Sequence, residues 1–195
     1  MGGLTMRKDL GVFPAVFPMP VLMIATYGED GSVDVMNAAW GTACGMDKVA
    51  LCIYGHETNK NIDRTKAFTV SVADAAHIKE ADYFGIVSAG KVKDKFAKTG
   101  LTATKSAWVN APVIEEFPVT MECEYVETVN TEGVTCVVGR IVNVTAREDV
   151  LNARGKIDAS KLDAILFDPF GNKYFRIGDE AGRAWKAGVP LTKTE

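Results

Sequence analysis

The hydrophobic positions of this chain fall into short runs separated by glycine-rich or polar stretches, and most of the runs have the length of a strand. Val21 to Tyr27 is almost wholly apolar and predicts a buried strand. Gly28-Glu-Asp-Gly31 carries a glycine at each end and predicts a turn. Ser32 to Met36 is then the second strand of a hairpin. Val49 to Tyr54 predicts a third strand, and the β-branched and aromatic run Phe68 to Val72 a fourth. Between these two, Thr58 to Lys66 predicts a short helix with Thr58 as its N-cap.

The period changes in the middle. From Ala75 to Val87 the apolar Ile78, Ala81 and Phe84 recur at three-residue steps, with Lys79, Glu80 and Asp82 on other sides, which predicts a helix. Lys91 to Lys98, bounded by Gly90 and Gly100, predicts a second, charged helical piece. Strands return after Pro118. Val119 to Val129 sets Met121, Cys123 and Tyr125 against Glu122 and Glu124, Asn130 to Gly133 makes a turn, and Val134 to Val144 runs back. Ile157 to Phe170 leads into a last short strand, Lys173 to Ile177, and the tail from Gly182 to Glu195 carries a short piece around Trp185. The expected fold is mainly β with helical excursions, an antiparallel barrel. It forms one domain over residues 1–195, with an irregular lead-in over about 1–19 and the helical excursion over about 75–100.

Several function classes lose their support. No G-x-G-x-x-G follows a strand, and there is no G-x-x-x-x-G-K-[ST] and no G-x-S-x-G. With 195 residues, 24% charged and a net charge of −3, the chain has no basic face for nucleic acid and no polybasic patch for a membrane surface. The apolar stretch Val12 to Tyr27 is broken by Pro14, Pro18 and Pro20, so neither a spanning helix nor a signal core is expected. Of the four cysteines, Cys52, Cys123 and Cys136 sit in apolar, strand-like runs and none forms a C-x-x-C pair; they are expected to be reduced core thiols of a cytoplasmic protein. Only His56 and His77 are present, without ligand spacing, so no metal site is expected.

Three segments could carry chemistry. In Met36 to Gly45, small residues surround Trp40; small side chains let backbone N–H groups approach a flat ligand, and Trp40 can cover an aromatic face, although a tight corner packed around a Trp has the same pattern. Gly55 to Ile62 opens a helix with hydroxyl, amide and basic side chains. That suits a phosphate monoester, as it also suits a plain capped helix. Ser88 to Lys95 has three lysines in five residues after a glycine, enough to complete a phosphate site or simply to form a solvated face.

Taken in order, these segments resemble the flavin reductase-like, FMN-binding split-barrel family. The resemblance rests on the run Pro20 to Tyr27, the glycine turn, Asn37-Ala-Ala-Trp40-Gly, and His56-Glu-Thr58-Asn-Lys-Asn61-Ile. Ala81 to Ser88, Asp94-Lys95-Phe96-Ala97, Thr99 to Thr102, Ala111-Pro112, Glu116-Phe117-Pro118 and Lys173 to Gly178 are similar to its flavoredoxin branch. The resemblance implies a homodimer with FMN at or near the subunit interface. By it, Trp40 stands near the flavin, and the segment Gly41, Thr42, Ala43 and Cys44 turns its backbone to the ring. His56, Thr58 and Asn61 border the phosphate, Lys95 is a basic residue near the flavin, and Phe167 is an aromatic that approaches it; Ser88 and Lys93, from the lysine-rich segment, are counted with the cofactor site on their residue types alone. Two positions depart from the pattern: Asp34 stands where many such chains have Asn six residues before the Trp, and Val134 where many have a His. An ionised carboxylate beside the flavin disfavours a reduced anionic ring.

The function so implied is an FMN flavoprotein oxidoreductase taking electrons from NAD(P)H or a redox protein. The flavin supplies the chemistry, so no protein acid or base is required and no catalytic residue is assigned. Two other readings stay open at the level of sequence: a non-enzymatic FMN electron carrier, and a barrel holding another planar or phosphorylated ligand such as haem or pyridoxal phosphate.

Overall fold

The structure, a computed structural model, describes residues 6–192; the first five residues of the expected lead-in and the last three of the tail lie outside the described residues. The strands are β1 (Met19–Pro20), β2 (Leu22–Tyr27), β3 (Val33–Ala38), β4 (Gly41–Ala43), β5 (Lys48–Leu51), β6 (Ala67–Val72), β7 (Ala103–Lys105), β8 (Pro112–Ile114), β9 (Val119–Thr131), β10 (Val134–Ala146), β11 (Ile165–Asp168) and β12 (Lys173–Arg176). The helices are α1 (Glu57–Thr65) and α2 (Ile78–Ile86).

Seven strands form one antiparallel sheet in the order β3-β2-β6-β9-β10-β5-β4. Its two outermost strands, β3 and β4, are joined only by Ala39 and Trp40. So short a link spans at most about 11 Å, so the sheet has to curl until its edges meet. The packing agrees. Leu22 of β2 and Leu51 of β5 are four strands apart in the sheet, yet both belong to one buried cluster with Ile24, Ile62, Phe68, Val70, Cys123 and Val137. Gly41 lies where they converge: a Cβ there would stand 2.6 Å from Leu22 Cδ1 and 2.9 Å from Leu51 Cδ2. The mainly β, split antiparallel barrel expected from the sequence is the architecture observed.

The unbroken apolar run of β2 is explained by burial on both faces. Leu22 and Ile24 point into the barrel, while Val21, Met23 and Ala25 join a second cluster with Val35, Ala81, Phe84, Ile114 and Ile165. This second cluster lies under α2 and the hairpin β11–β12. Asn37 of β3 fastens α2 to the barrel, its Nδ2 donating to the carbonyl of Ala81 at 2.9 Å.

Other expectations need correction. The third strand stops at Leu51, and Tyr54 is exposed. The N-cap of α1 is His56, not Thr58: its backbone N–H donates to Asn59 Oδ1 at 3.2 Å, and Thr58 sits inside the first turn, buried. Lys91 to Lys98 is a series of turns ending in the short 3-10 turn Ala97–Thr99; eight residues are too few to hold a helix unaided, and the segment instead turns Phe96 onto the core and Lys95 inward to Asp34. Glu122, expected on the solvent side, is buried, because the segment around Ser106 covers that face; Ser106 Oγ donates to its Oε2 and Asn143 Nδ2 to its Oε1. Of the three expected core thiols only Cys123 is buried; Cys52 is exposed and Cys136 half-buried. The sequence pattern also passes over the short strands β1, β4, β7, β8 and β11, the last lying inside the stretch Ile157 to Phe170 read as a lead-in; each holds too few residues to show a period.

Candidate functional site

The site is built where β3, the N-terminus of α1 and the loop after α2 converge. Asp34 is the one charged residue of β3, on the face it shares with Met36 and Ala38. It lies under the first turn of α1, where Thr58 Oγ1 donates to Asp34 Oδ2 at 3.0 Å. Lys95 arrives from the loop and sets its Nζ 3.5 Å from Asp34 Oδ1, both side chains being more than nine-tenths buried. Phe84 and Phe96 stack with ring centroids 6.2 Å apart, and the ammonium of Lys95 stands 5.6 Å from the Phe84 centroid. Burial pushes the Lys95 pKa below its ordinary value, and the Asp34 carboxylate pushes it back up in part. The geometry leaves Asp34 Oδ1 without a hydrogen bond, although it is buried. Its polar neighbour is the Lys95 ammonium of the ion pair, which leaves it able to accept a hydrogen bond from a further donor.

Two adjoining hollows open on this group, of about 490 and 190 Å³, and share Asp34, Glu57, Ala89 and Lys95. His56, Thr58 and Ser88 line the smaller one, with Met36 and Asn37; Asn61 and Lys93 line the larger one, with Asp30. The helix N-terminus, Lys95 and Lys93 are the cationic features here, and Asp34, Glu57, Asp30 and Glu29 oppose them. Glu57 is partly neutralised by Lys60, whose Nζ lies 2.9 Å away.

Further along the same stretch of chain, Trp40 is half exposed and lines a third, mostly apolar hollow of about 320 Å³ with Pro18, Met19, Pro20, Gly41, Thr42, Ala50 and Cys52. Residues 36–40 run from one hollow to the other.

The structure therefore brings His56, Thr58, Ser88, Lys95, Asn61 and Lys93 around one centre, and Trp40, Gly41 and Thr42 around a neighbouring one. Not every expected group is free. The Asn61 amide donates to Thr26 Oγ1 at 3.1 Å, and the Cys44 N–H to the Lys48 carbonyl at 3.0 Å. Ala43 and Cys44 are exposed at the end of β4. Phe167 is half-buried on β11, beside Met19, which lines the Trp40 hollow. Val134 is exposed at the start of β10. Glu57, Met36, Asn37 and Asp34 are site residues that the sequence reading did not assign. For Asp34 a signal existed: a carboxylate on the strand face that otherwise carries Met36 and Ala38 has to be explained by a partner.

Residues 15–161 match the model of the flavin reductase like domain. Among solved structures, the chain is similar to the flavoredoxin of Desulfovibrio vulgaris (Miyazaki F), with a TM-score of 0.89 and 32% identity over 94% of this chain and 100% of that one. It is also similar to a flavoredoxin from Methanosarcina acetivorans, with a TM-score of 0.84 and 26% identity over 97% and 100%. An FMN-binding protein from Thermus thermophilus shares the fold, with a TM-score of 0.75 at 20% identity over 94% and 99%.

Proposed function

Because the chain belongs to the flavin reductase-like family, we propose that it is an FMN flavoprotein oxidoreductase, which takes electrons from NAD(P)H or a redox protein and passes them to an acceptor. The observation that carries this reading is the buried Lys95–Asp34–Thr58 group beside the half-exposed wall of Trp40, one polar and one apolar, linked by residues 36–40.

The residues present fit such a cofactor. FMN combines a phosphate, a polyhydroxyl chain and a flat ring. Asp34 Oδ1, ion-paired with Lys95 but without a hydrogen bond, can accept from an O–H or N–H donor such as a sugar-alcohol chain or the ring supplies. Lys95 and the N-terminal N–H groups of α1 suit the phosphate, with His56 and Ser88 at the rim of the same hollow. Trp40 and the small residues Gly41 and Thr42 suit one face of the ring. When bound, the flavin supplies the electron chemistry. This chain's own residues bind it and orient it. Asp34 adds a negative charge that Lys95 offsets, so the balance of the pair sets the field beside the cofactor.

Two further parts of the reading concern assembly and place. The lead-in exposes Val12, Val16 and Phe17, and the outer half of the β9–β10 hairpin exposes Val126, Val129 and Val134. A second copy of the chain would cover such surface, and a homodimer is the proposed working unit. Light scattering across micromolar concentrations checks it; a monomer that still holds FMN contradicts it. No helix among the described residues is long and apolar enough to cross a membrane, and the cytoplasm is the proposed location.

The test of the proposed activity is anaerobic mixing of FMN-loaded protein with NADH or NADPH. Bleaching of the oxidised flavin bands supports an NAD(P)H-dependent reductase. Bands that bleach only with a reduced redox protein support an electron carrier. A protein that takes up no flavin contradicts both.

A further inference from the structure

The proposed function makes no use of the cysteines, yet two of them are set against each other. In the β5–β10 ladder Leu51 stands opposite Val137, and both side chains are buried in the barrel. One step along the ladder, Cys52 comes opposite Cys136. Because side chains alternate along a strand, both point to the outer face. Directly opposed residues of antiparallel strands hold their Cα atoms about 4.5–5.5 Å apart, inside the range of about 4.4–6.8 Å over which a disulfide closes. Cys52 lies just past the end of β5 but is held on the sheet, its N–H donating to the Trp40 carbonyl at 2.7 Å.

The other cysteines are placed differently. Cys123 is sealed in the core, and Cys44 sits at the far end of β4, bonded to Lys48 rather than opposite a thiol. The Cys136 thiol is held above its ordinary pKa, first by burial and then by the neighbouring Cys52 thiol, with Cys44 adding a weaker push; the order agrees with the closeness the register dictates. Cys52 is exposed and Cys136 half-buried, so Cys52 is the sulfur an outside reagent meets first.

We infer that Cys52 and Cys136 are a reversible dithiol–disulfide site, oxidised by exchange with a low-molecular-weight disulfide. The Cys52 thiolate attacks the small disulfide, forming a mixed disulfide and releasing one thiolate. Cys136 then gives its proton to solvent, and its sulfur attacks the Cys52 sulfur. The Cys52–Cys136 bond forms, and the second thiolate leaves. In sum two protein thiols lose two electrons and two protons, and the small disulfide becomes two thiols. Cys52 also lines the Trp40 hollow, so the bond would form in one wall of that hollow.

The experiment treats the full-length protein with oxidised glutathione, blocks remaining thiols with N-ethylmaleimide, and maps the peptides by mass spectrometry. The expected result is a peptide pair joined through Cys52 and Cys136, two hydrogens lighter, with Cys44 and Cys123 alkylated after denaturation and the link undone by dithiothreitol. Cys136→Ser should stop the reaction at glutathione on Cys52, and Cys52→Ser should prevent modification of Cys136. Wild-type protein that retains glutathione on Cys52 without closing the bond, or that links through Cys44 or between molecules, overturns the inference. The wild-type mapping decides the matter even where a variant folds poorly, and it needs no flavin, so its outcome is independent of the proposed function.

Discussion

Lys95 and Asp34 face one another at 3.5 Å with 4% and 6% of their side chains exposed. A pair so placed has lost its water and depends on its partner, Thr58 adding the only hydrogen bond among the three. Removing one partner of a buried pair typically costs about 3–5 kcal/mol, because the other charge is left uncompensated. Lys95→Ala and Asp34→Ala should each lose stability of that order in urea unfolding. The double change Asp34→Leu with Lys95→Met, which removes both charges and keeps the volume, should recover most of it. A loss under about 1 kcal/mol in both single variants would mean that water screens the pair.

The barrel was legible in the sequence because its long strands bury regular faces. Val21 to Tyr27, Phe68 to Val72 and the hairpin from Val119 to Val144 appear where the pattern places them. The site was legible in part. Thr58 and Lys95 meet, but through Asp34, which was noted only as a departure from the family pattern. What pattern could not show was long-range covering. Glu122 reads as solvent-facing until the Ser106 segment folds over it, and Cys52 reads as core until the strand ends at Leu51. The first depends on a segment distant in the chain, which periodicity does not sample; the second depends on where a short apolar run stops pairing and on which face its last residue takes.

Gly41 is required by the closing of the sheet. Any side chain there meets Leu22 and Leu51 inside about 3 Å, and both belong to the core. Gly41→Ala should destabilise the fold by about 1–3 kcal/mol, the usual cost of overpacking. A melting curve checks it, and an unchanged midpoint would show that the two leucines have room to retreat.

Cys123 makes stability pH-dependent. Burial, helped by the nearby Glu122, pushes its thiol pKa up to about 12, against 9.0 ordinarily. Between those values the unfolded chain releases the thiol proton and the folded chain keeps it. The contribution is thus complete below pH 9 and lost as pH rises toward 12, by about 1.4 kcal/mol per unit. Comparing wild type with Cys123→Ala from pH 8 to 10.5 should show a steeper loss in the wild type. Parallel slopes would contradict the burial of this thiol.

Trp40 should matter to the ring and not to the phosphate. Trp40→Ala is expected to weaken FMN and riboflavin by the same factor, about 2- to 12-fold for a stacking loss of about 0.5–1.5 kcal/mol. Half exposed as it is, its removal should leave the melting temperature nearly unchanged. A large fall in melting temperature with intact affinity for both ligands would make Trp40 a packing residue instead.

The central claim is that this barrel holds FMN with its phosphate by Lys95 and the start of α1. Equilibrium titration of the same protein with FMN and with riboflavin, followed by flavin fluorescence, tests it most directly. A charge-assisted phosphate contact is worth about 1.5–3 kcal/mol, so FMN should bind about 10- to 150-fold more tightly than riboflavin. Equal affinities would mean that the phosphate is not recognised at this site, and no binding of either would contradict the account as a whole.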